Sequence, residues 1–466
     1  MLKIRIPSIC ENEQRYVLDI ILGEFLGLAF EVEQYSGSVL ELEMTGDIRR
    51  LTIDTSFFQL AEKAWLQKET LPLLPLKLWN PKSDGLVANL VEADVPVLFG
   101  SGCFSRDADR FHLGLDIFGS SFFMLSRYEE LITLSRDSHG RFSAKSSVAF
   151  KGNFIERPIV NEYVEILWEV MSEIWPDLVR KKRYFRMLIS CDVDHPYDLA
   201  GNSFWSSLRR ALVRVFRDMN PLLAFYDSLN YFWKKFGSNR FDSYRNNIDW
   251  MILVNKEAGN VIDFNFIPTQ TDLTRDDPTN FHSQPMSELF QHIITSGHKI
   301  GIHPGYNTFD SPASFEISVR EFTLICSSLG IDPYNIGGRQ HYLRYDVGIT
   351  PQLWDSHGFC YDSSLGFAEK AGYRSGVCYE YSMYNLVERK KLHLKQRPLI
   401  TMDSTIVSKT YEGLGFSADA LNRFKKFKSI TKQFNGDYTL LWHNSFFTGI
   451  NSKKMYSELI ANESSK

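Results

Sequence analysis

The stretch MLISCDVDHP, Met187 to Pro196, sets an apolar run beside two carboxylates one residue apart and a histidine. In an extended chain residues i and i+2 face the same side, so Asp192 and Asp194 at a strand end point into one cavity. Two carboxylates that close repel each other unless a cation or a guanidinium lies between them. The same letters also suit an Asp-rich loop capping the next helix. What the rest of the chain places beside them decides between the two.

From residue 187 onward short apolar strand candidates recur: MLISCD, VIDFNFI, HKIGIH, NIGGR, FCYDSS, PLITMD and YTLLWH. Most are separated by stretches long enough for a helix, the pattern of successive βα units and a mostly parallel sheet or barrel. Seven candidates predict a barrel. Asp192, Asp194, His303, Arg339, Asp362 and His443 all fall at or just past the C-terminal ends of those candidates. In a βα barrel that is the face where catalytic groups gather.

Ahead of this rhythm, residues 1–183 mix short strands (MLKIRI, VLELEM, VPVLFG) with helical segments, DIFGSSFFMLSRYEELI and the run from Glu162 to Trp175. This predicts a smaller α+β domain over 1–183 and a second domain over 184–466, the basic cluster Arg180 to Arg183 marking the change. A helical insertion interrupts the second domain at about 203–240. It sets Phe204, Leu208, Leu212, Val215 and Phe216 on one face, with Arg209, Arg210, Arg214 and Arg217 around it. Such a helix suits an anionic membrane, so peripheral membrane contact through 203–236 is one reading. Packing within the protein is the commoner one.

The 466 residues are 44% hydrophobic, 14% aromatic and 23% charged, with a formal net charge of -4. This is a soluble globular composition, and it gives nucleic-acid binding no support. Six cysteines without a Cys-x-x-Cys pair argue against a disulfide framework or zinc knuckle and for a reducing compartment. The opening residues, MLKIRIPSICENEQRY, lack the apolar run of a signal peptide, and no stretch of 18 apolar residues occurs. The expected location is cytoplasmic, with membrane association as an addition.

Individual candidates remain open to structural readings. His303, before Pro-Gly in IGIHPGYN, suits a divalent metal, whereas His298 reads as a core or surface histidine. Arg339 can fix a carboxylate base, and His443 can act as a general acid. Phe359, Tyr361, Trp354, Tyr373 and Trp442 offer stacking surface for a sugar, although most aromatics in so aromatic a chain are core.

The order Asp-x-Asp, His within IGIHPGYN, Arg-x-x-Tyr and a late histidine-bearing strand resembles the polysaccharide deacetylases of carbohydrate esterase family 4, the NodB-homology group. SSFFMLSRYEE (120–130), HGRF (139–142), RQHYLR (339–344), YDSSLGF (361–367) and AGYRSG (371–376) resemble a divergent bacterial branch with an extra N-terminal domain of unassigned role. The resemblance implies a distorted (β/α)7 barrel and metal-dependent hydrolysis of an acetyl group on a sugar, in a polysaccharide or glycan-precursor pathway. It implies Asp192 as general base, Asp194 and His303 as metal ligands, Arg339 as the group that orients the base, Tyr342 in the substrate groove and His443 as acid. The implied cofactor is a divalent cation, zinc first, with cobalt or nickel as alternatives. The implied partner is an acetylated sugar or glycan precursor.

The family's His-x-x-x-His reads His303-Pro-Gly-Tyr-Asn307 here, which puts Asn307, a neutral and weaker donor, at the second ligand position. His195 is a substitute for it. Either Asp362 or Asp403 can fix the tautomer of His443, with Asp362 slightly preferred. Asp362, Tyr361 and Trp442 join Tyr342 as expected substrate contacts. Three other functions compete: a barrel that lost its metal and serves as a carbohydrate-binding or scaffold protein, an amidohydrolase acting on a small non-sugar amide, and a glycoside hydrolase. The last needs carboxylates roughly 5 to 9.5 Å apart across a substrate, which residues two apart on one strand poorly provide.

Overall fold

The computed structural model describes residues 1–216, 221–236 and 239–461. Near the N-terminus, Leu2, Ile4 and Ile6 are buried and Lys3 is exposed. That alternation makes β1 (Leu2–Pro7) a half-buried strand. With β2 (Phe30–Tyr35), β3 (Leu40–Met44), β4 (Arg50–Ile53), β7 (Gly100–Asp107) and β8 (Arg110–Leu115) it forms a sheet in the order β2-β1-β3-β4-β8-β7. The short strands β5 (Lys77–Trp79) and β6 (Val95–Val97) pair separately. The helix Ile117–Leu125 is buried along its whole length. Asp116 caps it, accepting from the amides of Gly119 (2.8 Å) and Phe57 (2.7 Å), while burial pushes its carboxyl up to about 7.

Contacts divide the chain into two compact units. The first comprises Met1–Arg186, Tyr342–Thr401 and Lys425–Thr439, and the second Met187–His341, Met402–Phe424 and Leu440–Lys466. The sequence boundary at 183/184 falls beside the first break. Two later segments, however, belong by contact to the first unit rather than to one continuous domain over 184–466. Buried charge explains why. Arg374 grips Glu130 through Nε (2.9 Å) and Nη2 (2.6 Å), and Tyr381 donates to the Leu125 carbonyl at 2.8 Å.

Strands β9 (Arg186–Val193), β10 (Ile262–Phe266) and β11 (Lys299–Ile302) follow. After them come β12 (Tyr361–Asp362), β13 (Tyr381–Asn385), β14 (Lys390–Gln396), β15 (Thr401–Met402) and β16 (Asp437–Leu441). Five of these make a sheet in the order β11-β10-β9-β16-β15, with β9, β10 and β11 parallel, and β12, β14 and β13 make another. Every residue of β16 is buried, as expected of a strand covered on both faces.

The protein is thus mixed α/β, with five of the seven expected strands in one sheet. Of the other two, NIGGR supplies only the bridge Ile302 to Gly338, and FCYDSS pairs in the three-stranded sheet. Seven-stranded closure is not among the pairings of the described residues. Part of the expected insertion, including Arg217, lies outside those residues. Its described portion forms the helices Phe204–Phe216 and Pro221–Lys235.

Candidate functional site

Parallel register builds the site from neighbouring strand ends in the second unit. Asp192 is the seventh residue of β9, and Asn265 of β10 is its register partner. The Asn265 amide donates to Asp192 Oδ1 at 2.7 Å, and Arg339 Nη1 reaches the same oxygen at 2.7 Å and Ser190 Oγ at 3.0 Å. All three of Asp192, Asn265 and Arg339 are at most 2% exposed. Burial alone would raise the Asp192 carboxyl. The charges of Arg339, His303 and His443 and the Asn265 bond outweigh it and hold the group below the usual carboxylate range.

One step beyond the strand, Asp194 stands among three imidazoles. Its Oδ1 lies 3.4 Å from His303 Nε2 and 3.5 Å from His341 Nε2, and its Oδ2 lies 3.8 Å from His443 Nε2. The far nitrogen of each ring is committed elsewhere. His303 Nδ1 donates to the Arg339 carbonyl (2.5 Å), His341 Nδ1 to Asp276 Oδ1 (2.8 Å) and His443 Nδ1 to Asp403 Oδ1 (2.7 Å). A carbonyl or a carboxylate can only accept, so Nδ1 carries the proton, and a neutral ring presents the lone pair of Nε2.

Asp194, His303 and His341 offer one ligand atom each within 4.8 Å of one another. Two imidazoles and a carboxylate suit a divalent transition metal. Their outer partners are those expected behind metal-ligating histidines. Asp194 Oδ1 is also a buried oxygen with no hydrogen bond among the described residues, a costly state that a cation would relieve. The donor set therefore fits a metal. Burial would raise the Asp194 carboxyl, but the surrounding histidines hold it well below the ordinary range.

His341 and its support were absent from the sequence reading. Asp276 takes His341 and the Tyr306 amide (2.9 Å) on Oδ1. Its Oδ2 takes the Thr271 amide and hydroxyl (both 2.7 Å) and the Asp272 amide (2.8 Å). Against the pull of burial, these bonds bring its carboxyl down to about 2. Asn307, the expected ligand, is exposed, and its amide donates instead to the Thr271 carbonyl at 3.0 Å. It ties down the loop that holds Asp276. His195, the substitute, bonds Asp277 Oδ2 through Nδ1 at 2.6 Å. Asp277 also lines a cavity of about 360 Å³ with Thr269, Gln270, Thr279, Asn280 and His282. His298 is a core histidine, joined to the Ile252 carbonyl (3.1 Å) and the Ile262 amide (3.3 Å).

The partner of His443 is Asp403, not Asp362. Asp403 also accepts the His443 amide through Oδ2 at 2.7 Å, so one carboxylate fixes both backbone and ring. Burial opposes the charged imidazole, yet Asp403 and the other carboxylates push His443 up to about 10. A cation held by Asp194 would oppose that push.

Of the expected substrate contacts, Asp362, Tyr361 and Tyr342 belong to the first unit and Trp442 to the second. Asp362 is buried in the first unit and accepts the Ser364 amide (3.1 Å) and hydroxyl. Tyr361, also there, has Arg397 3.6 Å above its ring. Tyr342 of the same unit is 37% exposed, its ring centroid 5.0 Å from that of His139 and its carbonyl accepting from Arg141 (3.0 Å). Trp442 offers no stacking surface: it is 0% exposed, packed between Phe424 and Phe447 with centroids 5.7 Å away on each. Trp354, Phe359 and Tyr373 are likewise buried.

A family of unknown function, DUF7033, matches residues 2–176. No match to the chain is found among curated proteins. Among solved structures, the chain is similar to a Mycobacterium smegmatis protein described as a "putative polysaccharide deacetylase", with 14% identity over 61% of this chain and 84% of that one and a TM-score of 0.39. It is also similar to a Pseudomonas aeruginosa "probable polysaccharide deacetylase" (12% identity, 67% and 90% covered, TM-score 0.38). The allantoinase Puue gives 12% identity, 61% and 85% covered, and a TM-score of 0.36. Likeness at this level fixes neither the fold nor the reaction.

Proposed function

We propose that the protein is a metal-dependent hydrolase that removes an acetyl group from an acetylated amino sugar in a polysaccharide or glycan precursor. The observation that carries this reading is the orphaned Asp194 Oδ1 between two buried imidazoles whose far nitrogens are both committed as donors. Asp194, His303 and His341 would hold the cation. A divalent ion there, zinc first among the candidates, supplies a Lewis acid for an acyl oxygen and acidifies a neighbouring water.

The protein's own groups divide the proton transfers. Asp192 has both of its hydrogen bonds on Oδ1, which turns Oδ2 toward accepting the proton of an attacking water. Arg339 keeps that carboxylate ionised and aimed. His443 carries its donor at Nε2, with Asp403 on the far nitrogen, and gives that proton to the departing amine or alkoxide. Proton donation and acceptance thus belong to different residues around one carboxylate ligand.

The sugar is proposed from the sequence resemblance; the cavity beside Asp277, lined by Gln270, Asn280 and His282 but equally by Ile267, Phe281 and Ile317, offers such a ligand both polar groups and apolar surface. The alternative of a barrel without metal drew on Asn307, and a third donor in His341 removes that reason. Acetate release from a panel of N- and O-acetylated sugars, with zinc, cobalt or nickel added, tests the reading. Activity in the wild type that disappears in Asp194→Ala supports it. Failure of every substrate with every metal, or turnover of small cyclic amides alone, contradicts it.

A further inference from the structure

The two helices Phe204–Phe216 and Pro221–Lys235 pack on each other and present aromatic side chains outward. Trp205 is 75% exposed, Phe216 76%, Phe225 59%, Phe232 62%, Trp233 40% and Phe236 82%. Scattered apolar residues on a surface are ordinary, but six large aromatics on one helical hairpin mark an interaction site. Residues 203–236 also carry six Lys and Arg against two Asp, within a chain whose formal net charge is -4; Arg210 and Lys234 are paired with Asp198 and Asp242, which leaves four, Arg209 and Lys235 among them, beyond those pairs. Hydrophobic and basic character therefore coincide on one element of a mildly acidic protein.

We infer that this hairpin seats the protein on an anionic lipid bilayer. Aromatic rings enter the interface while Lys and Arg meet the phosphate headgroups. Arg209 and Lys235 are exposed, and Lys235 lies 4.9 Å from the centre of the Tyr231 ring. A second copy of the same face is disfavoured as the occupant, because two such basic surfaces repel. Among the described residues no helix is long and apolar enough to cross a membrane, so the contact is peripheral.

The hairpin is rooted beside the site. Asp198, four residues beyond Asp194, accepts Arg210 Nη1 at 2.7 Å and the Asn230 amide at 3.2 Å. Asp242 pairs with Lys234 at 2.8 Å, accepts the Asp198 amide and caps the helix Ser243–Glu257. Both helices are thus fastened to the loop that carries the metal-cluster carboxylate. If the proposed hydrolysis holds, this arrangement favours a lipid-linked sugar as substrate; the docking itself does not depend on that reading.

Co-sedimentation of the full-length protein with phosphatidylcholine vesicles, with and without phosphatidylglycerol, tests the docking in the absence of any substrate. The expected result is binding that requires the anionic lipid and weakens with salt. Trp205→Ser with Phe232→Ser, and separately Arg209→Glu with Lys235→Glu, are each expected to weaken it by about tenfold or more at unchanged melting temperature. Absence of binding, or binding indifferent to lipid charge and to both pairs of substitutions, overturns the inference. Lipid-free dimers that the same substitutions dissolve also overturn it, assigning the face to a second copy.

Discussion

Asn265 stands opposite Asp192 in the β9–β10 register and donates to the oxygen that Arg339 also grips, 2.7 Å from each donor. The Asp192 carboxylate is therefore held by a neighbouring strand as well as by a guanidinium. Such a hold needs space, and Gly301, the register partner of Asn265 on β11, provides it. A Cβ at Gly301 would collide with Asn265 Oδ1 and come within 2.9 Å of the Gly337 carbonyl.

Asn265→Ala is expected to lower kcat about tenfold or more, the scale of one hydrogen bond to a charged group, with little change in KM. Gly301→Ala is expected to reproduce part of that loss and to cost about 1–3 kcal/mol of stability through overpacking. Steady-state kinetics with thermal melts check both. An unchanged kcat in Asn265→Ala would remove Asn265 from the positioning of the base.

Asp403 holds His443, the proposed acid, as Asn265 holds Asp192, the proposed base. Asp403→Asn leaves the shape but weakens the demand that Nδ1 carry the proton. It is expected to lower kcat by about a hundredfold, within the range of general acid catalysis, while the metal content stays at the wild-type level. Asp362→Asn, on a carboxyl spent on Ser364, is expected to change stability rather than kcat. Kinetics paired with elemental analysis separate these outcomes, and equal kcat losses in the two variants would argue against Asp403 as the specific partner.

In the first unit, Glu130 is buried between Arg127 and Arg374. Burial pulls its carboxyl upward, but the two guanidiniums bring it down to about 2 from an ordinary 4.5. A depressed carboxyl contributes its full stability above the unfolded value and loses it as pH falls through the folded one. Stability from Glu130 is thus expected to fade between about pH 4.5 and 2. Glu130→Gln is expected to cost about 3–5 kcal/mol at neutral pH, because it leaves two buried cations under-neutralised. Its melting temperature should fall less steeply than that of the wild type across the acid window. Parallel curves would contradict the assignment.

Asp192, Asp194, His303, Arg339 and His443 were legible because each is a polar residue at the end of an apolar run, a position that β-strand geometry turns into a shared face. The family's four-residue histidine spacing leads to Asn307 and does not mark His341. Its signal was available: His341 lies two residues beyond Arg339, and an extended segment brings such a pair to one side. Asp276 and Asn265 gave no comparable signal, since their roles depend on loop closure and strand register. Trp442, expected in the groove, lies just past β16 and is fully buried between Phe424 and Phe447. Several motifs behind the family resemblance are architectural, as the bonds joining Arg127 and Arg374 to Glu130, and Arg344 to the His139 carbonyl (2.8 Å), demonstrate.

In the proposed metal-binding group His341, not Asn307, stands with Asp194 and His303. Elemental analysis and zinc titration of the wild type, His341→Ala and Asn307→Ala test it most directly. The expected result is one metal per chain in the wild type and in Asn307→Ala, with affinity about a hundredfold or more weaker in His341→Ala. Metal retained in His341→Ala and lost in Asn307→Ala, or none bound by the wild type, would contradict it.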